Sequence, residues 1–217
     1  MGRWEPNARE RLERAALALF VERGYDATTV AEIADRAGLT KSTFFRHFAD
    51  KREVLFGGQD MLTERFTRAI ATAPATATTV DCLGAALAAA AVAFTAERRD
   101  LAPQRRAVIA AHSELQEREL LKRARLAGAM ADALIARGTD EVSARLAAEV
   151  GVLAFGAAHA RWAVPDNERS FTEIAHAALR DLQARASTLG AGAAESPAAE
   201  SPLDVRALPG SGFTMDP

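Results

Sequence analysis

The residues whose types and spacing could do chemistry are concentrated between Thr29 and Lys51 of this 217-residue chain. Lys41 and Arg46 offer cations, Ser42 and Thr43 offer short hydroxyls, and His47 offers a ring nitrogen. Such a set suits contact with double-stranded DNA. Cations and hydroxyls meet phosphate oxygens, short side chains let a helix approach the groove, and a threonine methyl or an aromatic edge can meet a thymine methyl. Thr29 adds a hydroxyl and a backbone amide at a helix start, where a phosphate can sit. Lys51 adds a further cation at the start of the next helix.

Two short helices must position these groups. Thr29 with Glu32 forms a capping box, Ile33, Ala34 and Ala37 face inward, and Gly38 supplies the left-handed residue that ends the first helix. Thr40 caps the second helix, which carries residues 41 to 48. Two helices joined by a short glycine-containing turn make a helix-turn-helix, whose second helix enters the major groove. Upstream, Asn7 and Glu10 form another capping pair, and Leu12, Ala15, Ala16, Leu19 and Phe20 recur at helical spacing up to Gly24.

Composition supports an all-helical chain. Ala, Leu, Arg and Glu dominate, and these are strong helix formers. No sustained alternation of β-branched and aromatic residues marks strands. The formal net charge is −2, so affinity for DNA must come from a local patch. Residues 40 to 52 supply one: Lys41, Arg46, Lys51 and Arg52 against Asp50 alone. The single cysteine, Cys82, can form no intrachain disulfide and is expected as a small core residue in a reducing cytoplasm. No apolar run reaches the roughly 20 residues of a membrane span, and the N-terminal MGRWEPNARER has no apolar core of a signal peptide. A cytoplasmic protein is expected.

Further along, Asp50 with Glu53 opens a helix expected over 51 to 73, with Gly57-Gly58 as its weak point. Residues 74 to 79 connect to a helix over 80 to 99. Asp100 to Pro103 interrupts, a short helix covers 104 to 111, and longer helices follow over 113 to 137, 140 to 163 and 170 to 189. From Gly190 the composition shifts to Gly, Ala, Ser, Pro and acid, the pattern of a disordered tail. The expected organisation is a three-helix reader at 1–49, a helical domain at 50–189 and the tail at 190–217.

The segment from Ala15 to Leu55 resembles the DNA-binding domain of TetR-type transcriptional regulators. The matching residues are A-x-x-L-F-x-x-x-G-Y at 16–25, T-T-V-x-x-I-A at 28–34, A-G-L-T-K-S-T-F-F-R-H-F at 37–48 and D-K-R-E-V-L at 50–55. The resemblance implies an operator-binding homodimer, most simply a repressor released by a small effector. It implies DNA contacts from Thr29, Thr40, Lys41, Ser42, Thr43, Phe44, Arg46, His47 and Lys51, with Phe44 where family members often face bases. Similar proteins often carry tyrosine at positions 45 and 47. Phe45 lacks that hydroxyl and fits the core as well as it fits a DNA contact, while Phe48 fits the core.

A reader of about 50 residues leaves some 140 more, far beyond what DNA binding needs. In proteins this chain resembles, that part binds an effector and dimerises. Val142, Leu146, Val150 and Leu153 with Gly151 and Gly156 mark one candidate packing face, and Phe171, Ile174, Ala178 and Leu182 another, so the last two helices could form a four-helix interface. The same stripes could face the monomer core. Candidate effector contacts are Phe94, His112, Met130, Phe155, His159 and Trp162. R-A-V-I-x-x-x-x-E-L-x-x-R at 106–118, R-G at 137–138 and A-x-W at 160–162 resemble the C-terminal domain of acyl-coenzyme A-sensing, mycofactocin-type regulators. That resemblance implies a hydrophobic effector such as an acyl-coenzyme A. Two rivals stand beside the regulator: a helical dimer acting without a ligand or as an activator, and an enzyme. The sequence holds no metal-ligand spacing among its four histidines, no nucleophile elbow and no phosphate loop, so no catalytic residue, metal or cofactor is expected.

Overall fold

The computed structural model describes residues 7–191, and the side chains of 97 and 189–191 are left aside. Among the described residues every regular element is helical. The first helix, α1 (Ala8–Arg23), ends at Gly24 and presents Leu12, Ala16, Leu19 and Phe20 inward. The expected cap at Asn7 is not made. Asn7 lies in the left-handed region at φ 64°, which turns its amide away, and its carbonyl alone accepts from Arg11 N at 3.0 Å.

α2 (Val30–Arg36) begins with the full capping box. Glu32 N donates to Thr29 Oγ1 at 3.3 Å, and Thr29 N donates to Glu32 Oε2 at 2.8 Å. Gly38 turns the chain at φ 64°, and a Cβ there would stand 3.0 Å from the Arg11 guanidinium, which donates to Ala37 O. Both the backbone angle and this close approach call for glycine. α3 (Lys41–His47) starts from Thr40, whose hydroxyl accepts from Thr43 N at 3.1 Å. A buried cluster of α1 and α2 side chains with Phe44 and Phe48 fixes α3 against them.

The helix expected over 51–73 is broken in two. α4 (Glu53–Phe56) is a single turn, and α5 (Gln59–Thr72) starts after Gly58 at φ 89°. Val54, Leu55 and Phe56 complete the N-terminal cluster, so the reader's core continues past residue 49. Val108, Ile109 and Leu115 join it from later in the chain.

α6 (Thr79–Ala90) opens with a capping box between Thr78 and Asp81, and a short 3₁₀ turn follows over Ala91–Ala93. The expected break at 100–103 does not occur. Pro103 lies inside α7 (Ala96–Ala110), and the chain breaks instead at Phe94. Phe94 leaves helical geometry (φ −109°, ψ 75°) to stack on Phe171 with ring centroids 3.9 Å apart. α7 continues through Pro103 without the backbone donor that proline lacks.

α8 (Ser113–Ala136), α9 (Glu141–Trp162) and α10 (Phe171–Ala191) complete the larger core with α5 and α6. Asp140 caps α9 through Ser143 N at 3.0 Å, and Ser170 with Glu173 caps α10 as expected. Phe171, Ile174 and Ala178 are spent on the chain's own core, beside Trp162, Met130 and Leu83. The stripe expected to make α10 a dimer face is therefore an interior stripe. The described residues up to Gln183 form one compact unit. No single helix among them is long and apolar enough to cross a membrane. The tail expected from 190 onward lies almost wholly outside the described residues.

Candidate nucleic-acid interface and buried cavity

On α3 the side chains divide sharply. Phe44 is fully buried and Phe48 nearly so, whereas Lys41, Ser42, Phe45 and Arg46 are exposed. Residues 41, 42, 45 and 46 share a helical face by their spacing, and that face points away from the core. Phe44, placed among the DNA contacts by resemblance, is corrected to a core residue: its ring packs 5.5 Å from that of Phe48. Full burial of such a ring stabilises by roughly 1.5–3 kcal/mol, which binds it to the interior. The aromatic that faces outward is Phe45, half exposed, with Lys41 Nζ 5.9 Å above its ring.

The remaining expected contacts differ in how free they are. Thr29 and Thr40 are exposed, but both hydroxyls already serve as caps. Thr43 is half-buried with its hydroxyl 2.9 Å from that of Thr40. His47 keeps its Nε2 buried and unpartnered, and burial, aided by Arg46 and Arg9, holds its pKa below the ordinary value. The neutral ring can offer only its Nδ1 side outward. Lys51 is turned inward: its ammonium donates to Tyr25 O at 2.6 Å and to Thr28 O at 3.0 Å and stands 4.1 Å over the Tyr25 ring. At most one of its three N–H groups remains for a phosphate.

Behind the reader lies a cavity of about 360 Å³, bounded by α1, α4, the Gly57-Gly58 break, α5, α7, α8 and α9. Part of its wall is aromatic. Phe94 meets Trp162 at 5.1 Å, His159 at 5.7 Å and Phe155 at 5.8 Å. These four are the expected effector residues that the cavity brings together. The other two lie elsewhere. Met130 is fully buried in the helical core, close against Gly151, because α8 turns that face to α9 and α6. His112 precedes α8, where its ring packs 5.0 Å from Tyr25 of the reader core and its Nδ1 lies 2.8 Å from Val108 O.

The rest of the wall is charged. Glu53 of α4 accepts from Arg118 Nε at 2.8 Å and from Lys122 Nζ at 3.0 Å. Burial works against its carboxylate, but these bonds outweigh it and hold the pKa below the ordinary value. Glu13 of α1 lies 3.2 Å from Arg9 and 3.7 Å from Arg98, yet burial pushes its carboxyl upward. Arg105 donates to Leu55 O and stands 5.4 Å over Phe56, and no described carboxylate lies within salt-bridge distance of it. The His159 ring is held neutral, its pKa driven down to about 4 by burial and by the nearby charges of Arg105, Arg106 and Arg123. Among the charged residues lining this cavity, six cations face four carboxylates. The sequence showed these arginines only as numerous. Their convergence from α7 and α8 depends on the helix break at Phe94, which nothing in the local pattern announces.

Residues 13–56 match the family model of bacterial regulatory proteins, tetR family. The transcriptional regulator TcmR of Streptomyces glaucescens is 43% identical over 67 residues, 31% of this chain and 30% of its own length. The transcriptional repressor KstR2 of Mycobacterium tuberculosis is 52% identical over 46 residues, 21% of this chain and 22% of its own length. The matched stretch thus spans less than a third of each of these relatives. In three dimensions the fold resembles that of a TetR-family regulator from Syntrophomonas wolfei, with a TM-score of 0.54 and 15% identity, covering 83% of this chain and 95% of the other. The capped helix-turn-helix thus lies within residues 13–56, which match the tetR-family model, and the described helices share the fold of that solved regulator.

Proposed function

We propose that this protein is a transcriptional regulator that binds operator DNA as a homodimer and is released from it by a small molecule taken into the cavity. The outward face of α3 carries the reading: Lys41, Ser42, Phe45 and Arg46 project from a helix locked at both ends, by the Thr40 cap and by buried Phe44 and Phe48. Lys41 and Arg46 can meet phosphates or guanine edges, and the Phe45 ring can meet a thymine methyl. Thr29, Thr40 and Thr43 sit at the rim, where their capping bonds fix the starts of α2 and α3 beside the phosphate backbone.

A second copy of the chain is supported by α9. Val142, Leu146 and Leu153 lie on one side of that helix and are 78%, 66% and 60% exposed. Such a row suits a twofold helical interface. Two reader domains would then address half-sites about one helical turn apart. Release by a ligand requires a differential affinity for two conformers, and the cavity touches α1 and α4 of the reader directly. Binding to DNA flanking the protein's own gene, followed by gel shift, tests the reading. A retarded complex that Arg46→Ala weakens is expected. No binding above background to any fragment at low salt would overturn it.

A further inference from the structure

The cavity's charge is out of balance in a way its own side chains do not correct. Arg105 lines it with a half-buried guanidinium and no carboxylate within salt-bridge distance among the described residues. Arg123 stands at its rim, exposed and with no ion-pair partner among the described residues, and lies across α9 so closely that a Cβ on Gly156 would stand 2.8 Å from its Nη2. Guanidinium groups do not give up their proton, so the half-buried Arg105, without a carboxylate in contact and with only the charges of Glu119 and Glu13 nearby, favours an anion beside it. The aromatic wall formed by Phe94, Phe155 and Trp162 adjoins them in the same cavity.

We propose that this cavity takes a free organic carboxylate with an apolar body, its carboxylate held by Arg105 and Arg123 and its body set against Phe94, Phe155 and Trp162. The inference rests on the reading of the cavity as the effector site and gives that site a chemistry. An acyl-coenzyme A is the contrasting ligand. Its acyl group is a neutral thioester, so that end brings no carboxylate to the cavity wall.

The geometry also supplies a route from the carboxylate to the recognition helix. Glu13 lines the cavity and competes for the same cationic wall through Arg98. A Cβ on Gly57 would stand 2.6 Å from Glu13 Oε1 and 3.0 Å from the Phe48 ring. Gly57 is thus wedged between a cavity carboxylate and the residue that ends α3. A ligand carboxylate repels Glu13, Glu13 moves against Gly57, and Gly57 moves against Phe48.

Calorimetry on the full chain with decanoate and 4-phenylbutyrate, each against its methyl ester and against decanoyl-coenzyme A, tests this. At least one free acid should bind roughly tenfold or more tightly than its ester, as expected for a charge-assisted hydrogen bond. Arg123→Met should abolish that preference. Glu13→Gln should bind the acid several-fold more tightly, because an internal competitor is gone. Esters binding as well as acids, binding of the coenzyme A ester alone, no acid binding at millimolar concentration, or an acid preference that survives Arg123→Met would each overturn the proposal. Operator gel shifts on the same preparations keep the two readings apart. A chain that binds operator but no acid defeats this inference alone, whereas a chain that binds acid but no DNA defeats the regulator.

Discussion

Phe44 and Phe45 stand edge to face with ring centroids 5.5 Å apart, yet the first is fully buried and the second half exposed. Adjacent residues on a helix differ by about 100° in direction, so one ring closes the reader core while its neighbour faces outward. Phe44→Ala should therefore cost about 3–5 kcal/mol of stability, as for other buried aromatic truncations. Phe45→Ala should leave the thermal midpoint within a degree or two and weaken operator binding. Thermal melts and gel shifts on both variants check this. Equal loss of stability in the two would put Phe45 in the core as well.

That pair also shows how far the sequence could be read. The helix-turn-helix was legible because caps and a turn glycine are local devices: Thr29 with Glu32, Gly38 and Thr40 each act within four residues. The phase of α3 was not, because seven residues make only two turns, with two phenylalanines among them and a third at the C-cap. Deciding which ring faces inward needs the packing surface of α1. The aromatic part of the cavity was half legible, since Phe155, His159 and Trp162 share one helix. Arg105 and Arg123 belong to consecutive helices and Glu13 to α1, far away in the chain, and only tertiary packing brings the three together. Pro103 misled because α7 continues through it, while the chain breaks at Phe94, whose ring stacks on Phe171 far along the sequence.

Lys51→Ala separates a structural from a DNA-contacting lysine. Its ammonium ties down the carbonyls of Tyr25 and Thr28 in the loop between α1 and α2. Removing it leaves both acceptors without this donor in a half-buried place, for a loss of about 1–3 kcal/mol. The thermal midpoint should drop. The slope of operator affinity against salt should change by less than one phosphate contact would change it. An unchanged midpoint with a slope reduced by a full contact would restore Lys51 to the phosphate backbone.

His159 predicts an acid-side loss of stability. Its folded pKa of about 4 lies below the ordinary 6.5, because burial and the surrounding Arg105, Arg106 and Arg123 disfavour the imidazolium. Between these two values the unfolded chain binds a proton that the folded chain refuses. The stabilisation is complete above about pH 6.5 and is lost progressively as pH falls toward 4, by on the order of 3 kcal/mol. His159→Gln has no such proton to bind. The drop in thermal midpoint between pH 7.5 and pH 4.5 should therefore be smaller in the variant than in the wild type. Identical drops would show that His159 does not carry the effect.

The exposed row on α9 bears on whether two readers act together. Val142, Leu146 and Leu153 present apolar side chains in a line along a helix whose other face, at Ala144, Ala148 and Val152, is already buried. Placing charge there should leave the protomer folded, since these side chains support nothing inside it. Leu146→Glu with Leu153→Glu should therefore yield a helical monomer by sedimentation. Each reader would then hold one half-site alone, and a palindromic operator would lose the gain from joining two binding events, expected at ~10²-fold or more. A double variant that remains dimeric, or a monomer that keeps full operator affinity, would place the twofold contact elsewhere.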